Sequence, residues 1–261
     1  MYVFDVSKQT THCGESSWFS PMHTQRFYRD FSSTNRWQSY RVRVETTDLY
    51  IRTRDNHAFA VQQQVVQLRS DLKRHIQRQP SFASSLDPVR ALPGVPHIVD
   101  LMYRAAEKAR VGPMAAVAGA MAGCVGLKLG LLSEEVIVEN GGDIYLQLKE
   151  SGRNTIFAGG SPFSGQLGIR VEPGQTPLGV CTSSGRVGHS YSRGQADAVT
   201  ILASHVWLAD AVATGAANLV RSEEDFEEAL DYAMAIEGVL GAVVILGDKL
   251  GAKGDVQLEE T

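Results

Sequence analysis

The chain has 261 residues, 43% of them hydrophobic and 21% charged, which is enough to bury a sizeable core in one large domain or two fused subdomains. Its net charge of −4 argues against the basic face of a nucleic-acid binder, so no nucleic-acid partner is expected. The three cysteines, Cys13, Cys124 and Cys181, are far apart and form no metal spacing, which fits incidental thiols in a reducing cytoplasm.

Met1 to Pro21 is polar and unpatterned, without the apolar run of a signal peptide. It reads as a leader outside the fold, with residues 22–261 forming the domain. From Arg36 to Arg54 apolar residues alternate (Tyr40, Val42 and Val44, then Leu49 and Ile51), which predicts a β-hairpin. Asn56 to Gln79 is helical, with an apolar stripe of Phe59, Val65, Val66, Leu68, Leu72 and Ile76, and Pro80 ends it. Ser81 to Pro96 is a connection punctuated by Asp87-Pro88 and Pro93-Gly94. A helix follows from His97 to about Arg110, and Pro113 opens another that runs to about Leu129.

That second helix is built almost wholly of small residues. Each glycine in it costs ~1 kcal/mol relative to alanine. Such a sequence makes sense where something approaches closely: a sheet, another helix or a flat ligand. Its longest apolar stretch, Met114 to Leu127, is too short and too rich in Gly and Ala to span a bilayer, so no membrane partner is expected.

Val136 to Leu148 reads as strand, turn, strand, and further strands are expected at Asn154–Ala158, Leu167–Glu172, Leu178–Thr182 and Ala198–Ala203. A helix covers Ser204 to about Leu219. Ser222, followed by Glu223, Glu224 and Asp225, starts another, whose core face is Phe226, Leu230, Ala233 and Ile236. The chain closes with Ala242–Leu246, a Gly-rich turn and Asp255–Glu259 as a terminal hairpin. Hairpins dominate over βαβ crossovers, so the fold class is α+β with antiparallel sheets, built in the manner of a duplicated unit.

Four stretches bear groups that chemistry could use. In Glu139-Asn140-Gly141-Gly142-Asp143 the glycines serve a hairpin turn or let the backbone approach a ligand, and two carboxylates flank them. Thr182-Ser183-Ser184-Gly185 is a polar loop after an apolar strand, or a set of hydroxyls and amides for phosphate oxygens. His189, just beyond it, is solvated or acts as a general acid/base. Asp210 and Thr214 stand one helical turn apart among small neighbours, so both oxygens can converge. They make a helix–helix contact or offer hard ligands to Mg²⁺, which completes its shell with water and phosphate. Asp197 supports the same site or caps a turn. No Gly-x-Ser-x-Gly, HExxH or Walker motif is present.

The order of these pieces resembles the ApbE family, whose characterised members are FAD:protein FMN transferases. The resemblance rests on the small-residue helix Ala115–Gly126, on Gly141-Gly142-Asp143, on Ser183-Ser184-Gly185, and on Ala209-Asp210-Ala211 followed by Ala213-Thr214. It is closer to a branch of bacterial and archaeal ApbE relatives. The residues similar to that branch are Val111-Gly-Pro-Met-Ala-Ala-Val-Ala-Gly-Ala120, Val138-Glu-Asn-Gly-Gly-Asp143, Thr182-Ser-Ser-Gly185 and Ala196-Asp-Ala-Val199.

The resemblance implies two intertwined T-fold-related subdomains with helices packed on antiparallel sheets. It implies FAD and Mg²⁺ as cofactors, a nucleotide ligand and a protein acceptor, with Asp210 and Thr214 on the metal and Asp210 and His189 in catalysis. Asn140, Gly141, Gly142, Asp143, Thr182, Ser183, Ser184 and Gly119 would meet the flavin nucleotide. Ala118-Gly119 stands where the transferases carry Lys-Gly, and His189-Ser-Tyr-Ser-Arg-Gly194 lacks their Asp-Pro. The alternative function is a non-catalytic flavin- or heterocycle-binding accessory protein in cofactor or sulfur metabolism. Edge strands of such sheets pair readily, which makes a homodimer the expected assembly.

Overall fold

The computed structural model describes residues 2–5, 36–185 and 194–261. His189 and most of the expected leader lie outside these residues; of the leader, only Tyr2–Asp5 is described, as a strand.

In chain order the strands are β1 (Tyr2–Asp5), β2 (Gln38–Val44), β3 (Thr47–Thr53), β4 (Val136–Asn140), β5 (Asp143–Gln147), β6 (Gly152–Thr155), β7 (Leu167–Val171), β8 (Leu178–Ser183), β9 (Ala198–Ala203), β10 (Val239–Leu246), β11 (Lys249–Gly254) and β12 (Gln257–Glu260). The helices are α1 (Ala58–Arg78), the single turn α2 (Ser81–Ser84), α3 (His97–Ala109), α4 (Val117–Leu129), α5 (Val206–Leu219) and α6 (Phe226–Met234). A 3₁₀ turn at Pro113–Ala116 leads into α4. The α+β class stands: helices combine with sheets in which, among the described residues, every strand pairing is antiparallel.

Among the described residues nine strands form one sheet in the order β1-β11-β10-β9-β8-β5-β4-β3-β2, and β12-β7-β6 form a second. Period-2 alternation sends the apolar residues of the large sheet to two cores. Val136, Val138, Tyr145, Cys181, Val199 and Ile201 face the helices. Leu146, Leu178, Val180, Ala198, Leu202 and Val243 face the small sheet, with Ile169 and Val171 of β7. β9, covered on both sides, is buried along its whole length, which is why its sequence shows no polar alternation.

Four expectations are corrected. Phe59 and Val66, placed in the core stripe of the first helix, are 77% and 48% exposed. They lie seven apart on one face, while Val61, Val65 and Leu72 on the opposite face make the contact. The Gly-rich turn near the C-terminus is itself a strand: β11 pairs with β10, and β12 crosses to the small sheet beside β7 instead of closing a terminal hairpin. The strand expected at Asn154–Ala158 begins earlier, as β6, and the 81–96 connection contains the turn α2.

The small-residue helix α4 is packed on two sides. A Cβ on Gly119 would lie 2.5 Å from the Val206 carbonyl oxygen, and one on Gly126 would lie 2.3 Å from the Tyr145 ring. Close approach by α5 and β5 therefore accounts for these glycines.

A buried polar chain ties α1 to α3. His75 Nε2 lies 2.8 Å from the Tyr103 hydroxyl, which donates to Gln79 Oε1, so the ring nitrogen is the donor to Tyr103. His75 is 2% exposed and its Nδ1 has no partner. Protonating it would bury an unpaired N–H, and burial, then the Arg78 charge, holds the imidazole below its ordinary value. Below about pH 6.5 the unfolded chain then binds a proton that the folded chain refuses, so stability falls as pH is lowered through that window. Urea unfolding at pH 7.0 and 5.5 should show a smaller acid loss in His75→Gln than in the wild type; equal losses would remove His75 as the cause.

Candidate functional site

The site gathers where the β4–β5 turn, the end of β8 and the first turn of α4 meet α5. Asn140 and Asp143 stand opposite each other, with Gly141 and Gly142 between them. Gly141 has φ +74°, which a type II′ hairpin needs at its first central position. Gly142 is required by a neighbour: its carbonyl accepts from the Thr182 N–H at 2.9 Å, and a Cβ on it would come within 2.7 Å of the Thr182 carbonyl.

Asp143 begins β5 opposite Cys181 of β8, on the helix-facing side of the sheet. Asp210, on α5, reaches the same place. Its Oδ2 accepts the Gly119 N–H at 2.7 Å, and the Ala118 N–H also bonds this carboxylate. These are orphan donors of the first turn of α4, whose N-cap residue, Ala116, offers no side-chain acceptor. Burial, and then the charge of Asp143, push the Asp210 carboxyl well above its usual value; the two N–H bonds oppose this, and a hydrogen bond with Asp143 adds to it. The fully buried Cys181 thiol donates to the Val206 carbonyl at 3.3 Å and is pushed up by burial and by both carboxylates.

Thr214 is one turn along α5 from Asp210 and half-buried. Ser183, two residues beyond Cys181, shares the helix-facing side of β8, and its buried Oγ has no hydrogen-bond partner. Thr182 projects to the other face of the sheet, where its hydroxyl lies 2.9 Å from that of buried Thr200. The polar triplet is therefore divided by the strand it ends. Ser184 lies beyond the strand, its hydroxyl 3.5 Å from the Ala196 carbonyl. Asp197 accepts the Gly247 N–H at 2.7 Å and so fastens the β10–β11 turn.

The structure thus unites Asn140, Gly142, Asp143, Ser183, Asp210 and Gly119, with Thr214 alongside. Asn140 meets α4 directly: its Nδ2 donates to the Ala118 carbonyl at 3.1 Å. Sequence reasoning missed Cys181, whose only signal is its place in the register opposite Asp143. Among the described residues no three His, Cys, Asp or Glu side chains form a metal cage. A carboxyl pair with a nearby hydroxyl and an orphaned serine oxygen does suit a hard cation that keeps most of its shell as water and phosphate.

The family model described as "AbpE bacteria" matches residues 29–258. A UPF0280 protein of Methanopyrus kandleri is 42% identical over 225 residues, spanning 83% of this chain and 90% of the relative. A UPF0280 protein of Methanocaldococcus jannaschii is 39% identical over 226 residues, spanning 84% and 92%. Among solved structures, the apo form of the flavinyl transferase ApbE of Pseudomonas stutzeri superposes with a TM-score of 0.57 at 14% identity, covering 84% of this chain and 94% of that one. An ApbE protein of Thermotoga maritima gives 0.51 at 13%, covering 84% and 96%. At such identities the likeness is one of fold. Matched over most of its length by the family model and by relatives about two-fifths identical, the chain belongs to this ApbE-like family.

Proposed function

We propose that the chain is a Mg²⁺-dependent flavin-nucleotide handling protein that cleaves FAD and passes FMN to a protein hydroxyl or to water. The observation that supports this most is the Asp143–Asp210 pair, held at the first turn of α4, with the orphaned Ser183 hydroxyl two residues beyond Cys181 on the same face of β8. Two carboxyls this close repel unless a proton or a cation joins them.

Asp210 and Thr214 would hold the cation, with Asp143 next to them. A cation there would offset the charge that builds on the diphosphate oxygens as the bond to AMP breaks. Gly142, exposed at the turn, would meet the nucleotide on the side away from Thr182. Ser183 would donate its unused hydroxyl to a phosphate or ring oxygen, and Ser184 would line the same edge. In the transfer, the acceptor hydroxyl oxygen bonds to the FMN phosphorus, the phosphorus–oxygen bond to AMP breaks, and a base takes the hydroxyl proton. His189, outside the described residues, is the candidate for that base.

A second reading, binding without turnover, is favoured by one observation. Where the transferases carry a lysine this chain has Ala118, whose carbonyl and N–H are both engaged within the protein. The purified protein incubated with FAD, with and without Mg²⁺, and chromatographed for FMN and AMP separates the readings. Mg²⁺-dependent release of AMP is the expected result. Binding without products would move the assignment to the accessory protein, and no binding would end the flavin reading.

A further inference from the structure

Asn140 has a use that neither a hairpin turn nor a nucleotide contact requires. It is the last residue of β4, and its Nδ2 reaches across to the Ala118 carbonyl at 3.1 Å. A carbonyl oxygen only accepts, so the amide nitrogen must be the atom facing it. The same short stretch of α4 is gripped from its other side, where the Gly119 and Ala118 N–H groups hold the Asp210 carboxylate. One turn of backbone thus carries two anchors, the sheet through Asn140 and α5 through Asp210.

Asp143 follows Asn140 after only two turn residues and stands opposite it in the hairpin. Fixing Asn140 to α4 therefore fixes the root of Asp143 relative to the backbone that fixes Asp210. Gly119, whose missing Cβ admits Val206 and Asp210, closes the third side of this joint. We infer that Asn140 is a positioning residue: through the Ala118 peptide it sets the separation of the Asp143 and Asp210 carboxyls, and with it the fit of a divalent cation between them. The inference rests on the metal reading given above.

Supporting groups that orient metal-holding side chains typically change metal affinity by about 10–100-fold when removed. The test uses Mn²⁺ alone as the probe, with the full chain at pH 8, following free Mn²⁺ by electron paramagnetic resonance and unfolding by thermal melt. Asn140→Ala should weaken Mn²⁺ binding about tenfold or more while the metal-free melt stays close to wild type, because the clip lies at a half-exposed turn. N140D is the second variant, and the decisive one should Asn140→Ala fold poorly. It keeps the size of the side chain but turns a donor into an acceptor facing the Ala118 carbonyl. Positioning predicts weaker binding in N140D, whereas a simple charge environment predicts tighter binding from the added negative charge. Wild-type affinity in Asn140→Ala, or tighter binding in N140D, overturns the inference. If the wild-type chain binds no Mn²⁺, the metal reading itself falls and the inference with it, a result distinct from a wild type that binds and variants that bind equally.

Discussion

Asp210→Asn should abolish divalent-cation binding and FAD cleavage while leaving the metal-free protein at least as stable as the wild type at neutral pH. The two effects part because Asp210 has two kinds of neighbour. Its Oδ2 accepts the Gly119 N–H at 2.7 Å, and an asparagine Oδ1 can take over that bond. The charge is what the fold resists: burial, then Asp143, push the carboxyl well above its usual value. A carboxyl with a raised folded pKa stabilises fully below its unfolded value, near pH 4, and loses that contribution as pH rises through the folded value. At neutral pH the buried carboxyl therefore costs the fold what asparagine, neutral at every pH, does not. A bound cation should offset that cost in the wild type, adding about 2.7 kcal/mol at a hundred times its dissociation constant. Thermal melts with and without Mg²⁺ provide the check. The wild type should rise with Mg²⁺ and Asp210→Asn should not. A variant that still responds to Mg²⁺, or that melts well below the wild type without it, would place Asp210 in a purely structural role.

The second large effect is expected at Gly119→Ala. On helix propensity alone this change gains ~1 kcal/mol. Tertiary contact opposes it, since the new methyl would stand 2.5 Å from the Val206 carbonyl oxygen and 2.8 Å from Asp210 Cβ. The first of these is backbone and cannot rotate away, so α4 and α5 must separate. Overpacking of this kind costs about 1–3 kcal/mol, which cancels or outweighs the propensity gain, so urea unfolding should show a net loss of up to about 2 kcal/mol in place of a gain. The displaced Asp210 should also bind Mg²⁺ more weakly. Gly160→Ala and Gly174→Ala are the controls, having nothing within 4 Å of the added Cβ and no positive φ. They should be neutral or slightly stabilising, by about 0.4–1 kcal/mol through the unfolded chain. If Gly119→Ala behaves like these controls, the close approach of α5 to α4 is not what fixes the glycine.

By itself the sequence determined most of the elements, because period and punctuation are local properties. Alternation marked β2 and β3, Pro80 and Pro113 marked helix limits, and Asn140-Gly141-Gly142 marked the turn. It erred where two periods overlap or where glycine hides a strand. Phe59 and Val66 fitted an apolar stripe but face outward, and β11, built on Lys249-Leu-Gly-Ala-Lys-Gly254, reads as a turn until β10 and β1 pair with it. The same limit applies to the polar triplet. Extending the expected strand by one residue to Ser183 would have separated Thr182 from Ser183 by period alone.

The site itself was decided by tertiary structure. Its residues were named from order and resemblance, yet what each one touches depends on pairs far apart in the chain. Gly119 and Asp210 are 91 residues apart, and Asn140 and Ala118 are 22 apart. No periodicity records that an aspartate on one helix satisfies the orphan N–H groups of another, or that a cysteine in the next strand completes the neighbourhood of an acid pair. Packing α4 against α5 and β5 created those neighbours, and with them the burial that shifts the Asp210 carboxyl. Local sequence dictates which residues share a face; only the fold decides which faces meet, and the chemistry of this site lies in that meeting.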